Sequence, residues 1–332
     1  MIRILGAGAW GTALAALWAH PRTGVDAPTI ELIAHTAAEG SAISSARMNA
    51  RRLPGVTLPE SIRIRSMDDE LSGLSAGDLL VVAIPSDAIR GALAQVAVGG
   101  ANVVMASKGL SREGERVSEI AVAAGVSPST LFTLSGPNLA REIAAGKPAA
   151  AVLASQGAPR EDVLASLARP TFRIYVSDDP IGVEVAGALK NVLAIAVSGV
   201  RSLGYGENAA AALLSRGVAE MARLAEACGG RAESAFGLAG VGDLVLTASN
   251  TGSRNARLGE LLASGASVSG AVETIGATVE GIPTAHGALL LAARLGIELP
   301  ITAAVVAALE HDVRIERLAE GLLGRATTAE WH

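Results

Sequence analysis

The chain has 332 residues, half of them hydrophobic but only 2% aromatic, and a net charge of −5. That length allows two domains, each with a core of Ala, Leu, Val and Ile, and an acidic chain with no run of basic residues is not built to bind nucleic acid. The single cysteine, Cys228, rules out an internal disulfide and reads as a small packed hydrophobe. His20, His35, His286, His311 and His332 show no metal-ligand spacing, so no metal is expected.

In chain order, Ile2 to Leu5 is a short apolar strand running into Gly6-Ala-Gly8-Ala9-Trp10-Gly11 and then the helix former Thr12 to Ala19. Arg3 followed by the apolar Ile4 to Ala19 has the outline of a secretory signal. The regular glycines and the strand-helix-strand pattern running through it argue for a folded start instead. G-x-G-x-x-G between strand and helix is a dinucleotide-binding pattern. Its first glycine makes the tight turn, the second lets the backbone approach a pyrophosphate, and the third lets helix and strand pack. The next strand, Thr29 to Ala34, ends in His35-Thr36 with no carboxylate to hold a ribose diol, and Glu31 lies within the strand, pointing elsewhere. A 2′-phosphate would meet no repulsion there, and His35 or Arg47, Arg51 and Arg52 could approach it. The expectation is therefore NADP ahead of NAD, with a solvated His35 as the plainer alternative.

Asp78 to Ile84 is a continuous apolar run of the kind that forms a fully buried parallel strand. Val103 to Ala106 follows and ends in Ser107-Lys108-Gly109. Leu131 to Leu134 ends in Ser135-Gly136-Pro137-Asn138, with a short helix from Leu139 to Ala145. Strands near 149 to 154 and Phe172 to Val176 complete an alternating α/β pattern. Lys108 lies at the carboxyl end of a strand, where open α/β sheets bind ligands; Lys147, between Gly146 and Pro148, reads as an exposed loop residue.

From Asp179 onward the pattern is helical, with Ala/Leu-rich segments at 207–228, 256–264, 284–295 and 302–322. The fold class expected is α/β: a doubly wound Rossmann-type domain (1–178) followed by an all-α domain (179–332). Asp179 caps the first helix of that second part, Pro180 suits its first turn, and Glu184 sits early, where the helix dipole favours an anion. The helix is otherwise apolar, yet carries Lys190 and Asn191. Only three of the 27 basic residues are lysines: Lys108, Lys147 and Lys190. Arginine cannot surrender its proton, whereas lysine can, which marks Lys190 as a proton-transfer candidate; the plainer alternative is an ammonium that snorkels to a helix edge. Further on, Gly240-Val-Gly242-Asp243 allows close backbone approach, and Asp243 can orient a lysine or accept from hydroxyls. Ser253 reads as an N-cap, placing Arg254 and Asn255 in a first turn where a cation opposes the dipole. A bound phosphate would resolve that conflict; a merely exposed arginine is the alternative. No segment reaches 18 uninterrupted apolar residues, so no integral membrane segment is expected, and the chain reads as cytoplasmic.

Taken together, Gly6-Ala-Gly-Ala-Trp-Gly-Thr-Ala, Ser107-Lys-Gly-Leu, Leu134-Ser-Gly-Pro-Asn, Ala188-Leu-Lys-Asn-Val, Gly240-Val-Gly-Asp-Leu, Ser253-Arg-Asn and Val279-Glu-Gly resemble, in order, the bacterial NAD(P)-dependent glycerol-3-phosphate dehydrogenases. The resemblance runs from residue 1 to about 325, closing with Leu322-Leu-Gly-Arg. It implies interconversion of dihydroxyacetone phosphate and sn-glycerol 3-phosphate, feeding phospholipid synthesis, in a family that is often dimeric. Carried over, Lys190 is the proton donor/acceptor. Lys108, Gly136, Asn138, Asp243, Ser253, Arg254 and Asn255 contact substrate. Beside the glycine loop, Ala9, Trp10, His35, Lys108, Ala140, Arg254, Thr278 and Glu280 are the cofactor positions. Ala140, Thr278 and Glu280 rest on the resemblance alone. The chain departs from the family at Ile89 and Leu139, where phenylalanine is frequent, at His35, where arginine is, and at Asn138, often Ser or Thr. The implied mechanism has Lys190 protonate the developing alkoxide. The ammonium of Lys108 near the same oxygen lowers the pair's proton affinity, and the two meet over a nicotinamide ring. Two rivals stand beside it: a 2-hydroxyacid or ketopantoate-type NADP reductase of the same architecture, and a non-catalytic dinucleotide sensor.

Overall fold

The structure, a computed structural model, describes residues 1–20, 28–157, 160–250 and 252–310. The chain divides into two compact units, one of residues 1–108 and 115–184, the other of residues 109–114 and the chain from Val185 onward.

The first unit is built on eight strands: β1 (Ile2–Leu5), β2 (Ile30–Ala34), β3 (Ile62–Ser66), β4 (Leu79–Val82), β5 (Asn102–Met105), β6 (Leu131–Ser135), β7 (Ala149–Ser155) and β8 (Phe172–Ser177). They form one sheet in the order β3-β2-β1-β4-β5-β6-β7-β8. All pairs are parallel except β6 with β7. Successive residues of the inner strands alternate between two cores. Ile4, Leu32, Val81 and Val104 belong to one and Leu5, Ile33, Val82 and Met105 to the other. A parallel sheet covered on both faces has this pattern, which explains the unbroken apolar runs in the sequence. Glu31 does point away from the end of β2. It pairs across the β1–β2 register with buried Arg3, 2.7 Å away. Several elements escaped the sequence reading, among them β3 and the helices Ala37–Ala46, Val117–Ala123, Glu161–Leu167 and Val268–Ile275. The order of β1 between β2 and β4 puts the glycine loop at the sheet's topological switch point, where such folds bind ligands.

In the second unit the helices Gly206–Ala227, Arg254–Ala263, Val268–Ile275, Gly281–Leu295 and Pro300–Glu310 accompany the long helix Pro180–Ser202. Residues of the expected helix beyond 310, with His311, His332 and Leu322-Leu-Gly-Arg, lie outside the described part. Close crossing depends on small residues: a methyl on Gly259 would fall 2.2 Å from the carbonyl oxygen of Ile195. The segment Gly109–Gly114 belongs here because Leu110 N donates to Thr284 Oγ1 (3.3 Å), and Arg294 donates to the carbonyls of Glu113 (2.7 Å) and Gly114 (3.1 Å).

One helix bears on the membrane expectation, and two readings need correction. Helix Pro180–Ser202 is, by length and composition, apolar enough to cross a membrane, although its charged residues interrupt the run; its apolar surface is buried within the protein. Glu184 does not serve the start of its own helix, whose first turn holds no acid. Its carboxylate accepts from Ser118 N (2.7 Å) and Ser118 Oγ (2.6 Å), with Arg116 at 3.4 Å. The helix start it satisfies is that of Val117–Ala123. Burial pushes the Glu184 carboxyl up from its ordinary range, outweighing the pull of Arg116 and Ser118. Finally, Cys228 is only partly buried, because it follows the last residue of Gly206–Ala227.

Candidate active site

In the first unit, β1 runs into Gly6, whose φ of +108° favours glycine; a methyl there would also sit 2.6 Å from Ala83 O. A methyl on Gly11 would fall 2.0 Å from Gly6 O, so this glycine permits helix Ala9–Ala19 to close onto the loop. Around Gly8 the opposite holds, since an added Cβ meets nothing within 4 Å. The indole Nε1 of Trp10 is buried and has no partner among the described residues. An open approach at Gly8, an unused donor at Trp10 and the first amides of an 11-residue helix fit a phosphate-bearing dinucleotide.

At the end of β2 the geometry removes an argument made from sequence. His35 is exposed, and its backbone N–H donates to Glu39 Oε2 (3.0 Å), while Asp68 Oδ2 accepts from Ala37 N (2.7 Å). Carboxylates therefore do stand at this strand end. They come from residues too far along the chain to be seen as its terminal residue, so the case for NADP from a missing carboxylate falls. Arg47 is also committed elsewhere: its guanidinium donates to the carbonyls of Pro59 and Ile62 and lies 3.6 Å from Glu60.

At the carboxyl ends of β5 and β6, Ser107 Oγ donates to Val82 O (3.1 Å) and Ile84 O (2.6 Å), pinning the turn that carries Lys108. Lys108 Nζ donates to Gly136 O at 2.7 Å. Gly136 has φ +141°, and a methyl there would lie 2.9 Å from Ala151 Cα. Asn138 Nδ2 donates to Ala150 O (2.9 Å), leaving its buried Oδ1 without a partner among the described residues. Ala140 opens the next helix, Ala140–Ala144. Lys108, Gly136 and Asn138 are thus one cluster. Lys147 is exposed and pairs with Glu142 at 2.8 Å.

In the second unit the site grows from helix Pro180–Ser202. Asp179 caps it, its Oδ1 accepting from Gly182 N at 2.9 Å. Two turns further in, Lys190 is only 7% exposed. Its Nζ donates to Asp243 Oδ1 (3.1 Å) and Thr247 Oγ1 (2.9 Å). Both partners lie one turn apart on helix Asp243–Ala248, which follows a π-helical turn at Leu238–Gly242. That turn needs the glycines noted in the sequence, since a methyl on Gly240 would sit 1.9 Å from Ala235 O. A buried ammonium requires such a charge partner, so the snorkelling alternative for Lys190 is excluded. Thr247 was missed from sequence; its spacing from Asp243 is helical, but the glycines just before Asp243 hid the start of the helix.

Beside Lys190, Asn191 Oδ1 accepts from Asn255 Nδ2 (2.8 Å), and Asn255 Oδ1 accepts from Gly281 N (3.0 Å). Ser253 caps its helix as expected, Oγ accepting from Ala256 N at 3.3 Å. Arg254 is exposed and its guanidinium donates to Thr278 O. That bond gives Arg254 a structural partner unforeseen in sequence, and it links Arg254 to the Thr278–Glu280 segment that leads into helix Gly281–Leu295.

A doubly wound sheet with a glycine loop at its switch point, joined to a helical unit carrying a buried lysine–aspartate pair, defines the class of dinucleotide-binding enzymes with a separate all-α part. Two family descriptions match: the N-terminal part of NAD-dependent glycerol-3-phosphate dehydrogenase over residues 1–160, and its C-terminal part over 179–320. The chain is 40% identical over 336 residues to glycerol-3-phosphate dehydrogenase [NAD(P)+] of Corynebacterium glutamicum (strain R), covering 99% of each chain. It is 41% identical over 337 residues to that of Acidovorax ebreus (strain TPSY), covering 100% of this chain and 99% of the other. The crystal structure of glycerol-3-phosphate dehydrogenase from Coxiella burnetii superposes with a TM-score of 0.85 at 34% identity, covering 98% of both chains. The chain belongs to the NAD(P)-dependent glycerol-3-phosphate dehydrogenase family of oxidoreductases.

Proposed function

We propose that the chain interconverts dihydroxyacetone phosphate and sn-glycerol 3-phosphate, with Lys190 as the proton donor and acceptor, and so supplies glycerophospholipid synthesis. The observation that carries this reading is Lys190 itself, buried in contact with Asp243 and Thr247. When bound, the reduced nicotinamide supplies the hydride for C2 of the ketone. Lys190 delivers the proton to the C2 oxygen as alkoxide charge develops there, and takes it back in the reverse direction. Asp243 and Thr247 hold the ammonium in place, so the proton leaves from a fixed point. Asn255, locked by Asn191 and Gly281 N, sits in the first turn of the helix that Ser253 caps. With Arg254, that helix start supplies donors suited to a phosphate dianion. Lys108, Gly136 and Asn138 are assigned to substrate and nicotinamide recognition; the glycine loop, with Ala9, Trp10, His35, Ala140, Thr278 and Glu280, is assigned to the cofactor.

A 2-hydroxyacid or ketopantoate-type reductase would need a carboxylate clamp, and the Ser253-Arg254-Asn255 helix start suits a phosphate better. A non-catalytic sensor has no use for a desolvated lysine with two oriented partners. The test is oxidation of NADH and of NADPH by purified protein with dihydroxyacetone phosphate, beside 2-ketoacids at equal concentration. Turnover of the phosphate ester is expected with at least one dinucleotide; turnover of the 2-ketoacids alone, or of nothing, would replace this reading with one of the others.

A further inference from the structure

We propose that Asn49 is a positioning residue of the cofactor site, its buried side-chain amide aiming the Gly8 N–H at the pyrophosphate. The inference rests on the reading that the Gly6–Gly11 loop binds the dinucleotide. Asn49 is 2% exposed and stands at the base of a loop closed on itself. Leu58 N donates to Arg47 O (2.7 Å), Met48 and Thr57 form an isolated antiparallel bridge, and Leu53 N donates to Asn49 O (2.8 Å). The amide's orientation is set by Arg52 N, which donates to Asn49 Oδ1 at 3.1 Å. The other end, Nδ2, uses both of its hydrogens, one on Ala7 O (2.6 Å) and one on Thr12 Oγ1 (2.9 Å).

The bond to Ala7 O has a directional consequence. In a planar trans peptide the N–H of residue 8 points opposite to the C=O of residue 7. Holding the Ala7 carbonyl toward Asn49 therefore holds the Gly8 N–H away from it. Gly8 is the one glycine of this loop where an added Cβ would meet nothing within 4 Å. Its N–H donates to no other group among the described residues. The second bond grips the far side of the same turn, because Thr12 N itself donates to Gly8 O at 3.0 Å. One uncharged side chain thus fixes the loop on both sides of Gly8, preorganising an amide that would otherwise have to be ordered on binding.

The experiment compares wild type with Asn49→Ala, Asn49→Asp and the milder Thr12→Val. The last removes one acceptor of the clamp with little change of shape. Dissociation constants for NADH and NADPH are read by nicotinamide fluorescence, with steady-state kinetics and thermal melts on the same samples. Asn49→Ala should raise both dissociation constants about tenfold, the worth of one to two hydrogen bonds. Cofactor KM should rise with them, while the KM for dihydroxyacetone phosphate and kcat at saturating cofactor stay near wild type. Asn49→Asp, which sets a carboxylate oxygen against Ala7 O, should be weaker still, and Thr12→Val should show a smaller loss in the same direction. If Asn49→Ala does not fold, Thr12→Val alone decides. Lower melting temperatures with unchanged dissociation constants would make Asn49 a brace of the fold and overturn the proposal. Wild type that binds neither dinucleotide would instead overturn the reading of the glycine loop, and this inference with it.

Discussion

At the scale of single residues, Lys190 is where composition and geometry agree most closely. A chain that writes nearly all of its cations as arginine keeps a lysine here, and the fold buries it against Asp243 and Thr247. Lys190→Ala should lower kcat by about 10²–10⁴, the usual worth of general acid–base catalysis, with dinucleotide affinity retained. Lys190→Arg should not rescue it, because a guanidinium holds its proton throughout the accessible pH range. Steady-state kinetics with fluorescence titration of NADH checks both, and a Lys190→Arg protein with substantial turnover would remove Lys190 from the proton path. Lys190, Asp243, Ser253 and the loop glycines were legible because each conflicts with its surroundings or matches a backbone need. Asn49 and Thr247 were not. A lone Asn after a Met, or a Thr after three aliphatics, carries no local anomaly, and only a chain reversal brings Asn49 to Ala7 and Thr12, or Thr247 to Lys190.

At the scale of elements, a side chain from one helix often completes the start of another. Glu220, on Gly206–Ala227, is buried and accepts from Ile301 N, Thr302 N (3.2 Å) and Thr302 Oγ1 (3.1 Å), capping helix Pro300–Glu310 from outside its own sequence. Glu220→Ala leaves two helix-end amides and a hydroxyl without their acceptor and should cost about 2–3 kcal/mol in a urea titration. Burial holds the Glu220 carboxyl above its ordinary 4.5, despite the donors facing it. An acid whose folded pKa is raised binds a proton more tightly when folded. Its contribution is therefore fullest below 4.5 and declines as pH rises through the folded value. Glu220→Gln should flatten that part of the stability–pH curve; a slope above pH 4.5 identical to wild type would show that Glu220 is not its source. The missed elements have their own reasons. β3, Ile-Arg-Ile-Arg-Ser, alternates as an edge strand does and could have been read, with Ile62 buried and Arg63 exposed. Helix Ala37–Ala46 is built on Ala, Ser and Gly, with little apolar periodicity to reveal it.

For the molecule as a whole, acid stability has a covalent-sequence origin as well as a folded one. The N-terminal ammonium lies 2.9 Å from Asp78 Oδ1, the residue that precedes β4. Hydrogen bonding to that ammonium, helped by Ser75, holds Asp78 down at about 2 against an ordinary 3.8. A lowered carboxylate contributes stability that is fully present above 3.8 and is lost as pH falls through about 2. Asp78→Asn should therefore be less stable than wild type at neutral pH. The gap between the two urea midpoints should close as pH drops below 3.8; a gap that persists would assign the loss to something other than this charge pair.

The sequence by itself determined the two kinds of architecture, the glycine loop and the family, because these follow from local periodicity, backbone permissiveness and residue order. It also marked the lysine that stands out among arginines. Only the tertiary structure decided which partners that lysine has, that Glu184 serves a foreign helix, that β7 runs against β6, and that Asp68 comes to the end of β2. Each of these is a meeting of groups distant along the chain, and such a meeting is set by how the chain returns upon itself, which no local pattern of residues encodes.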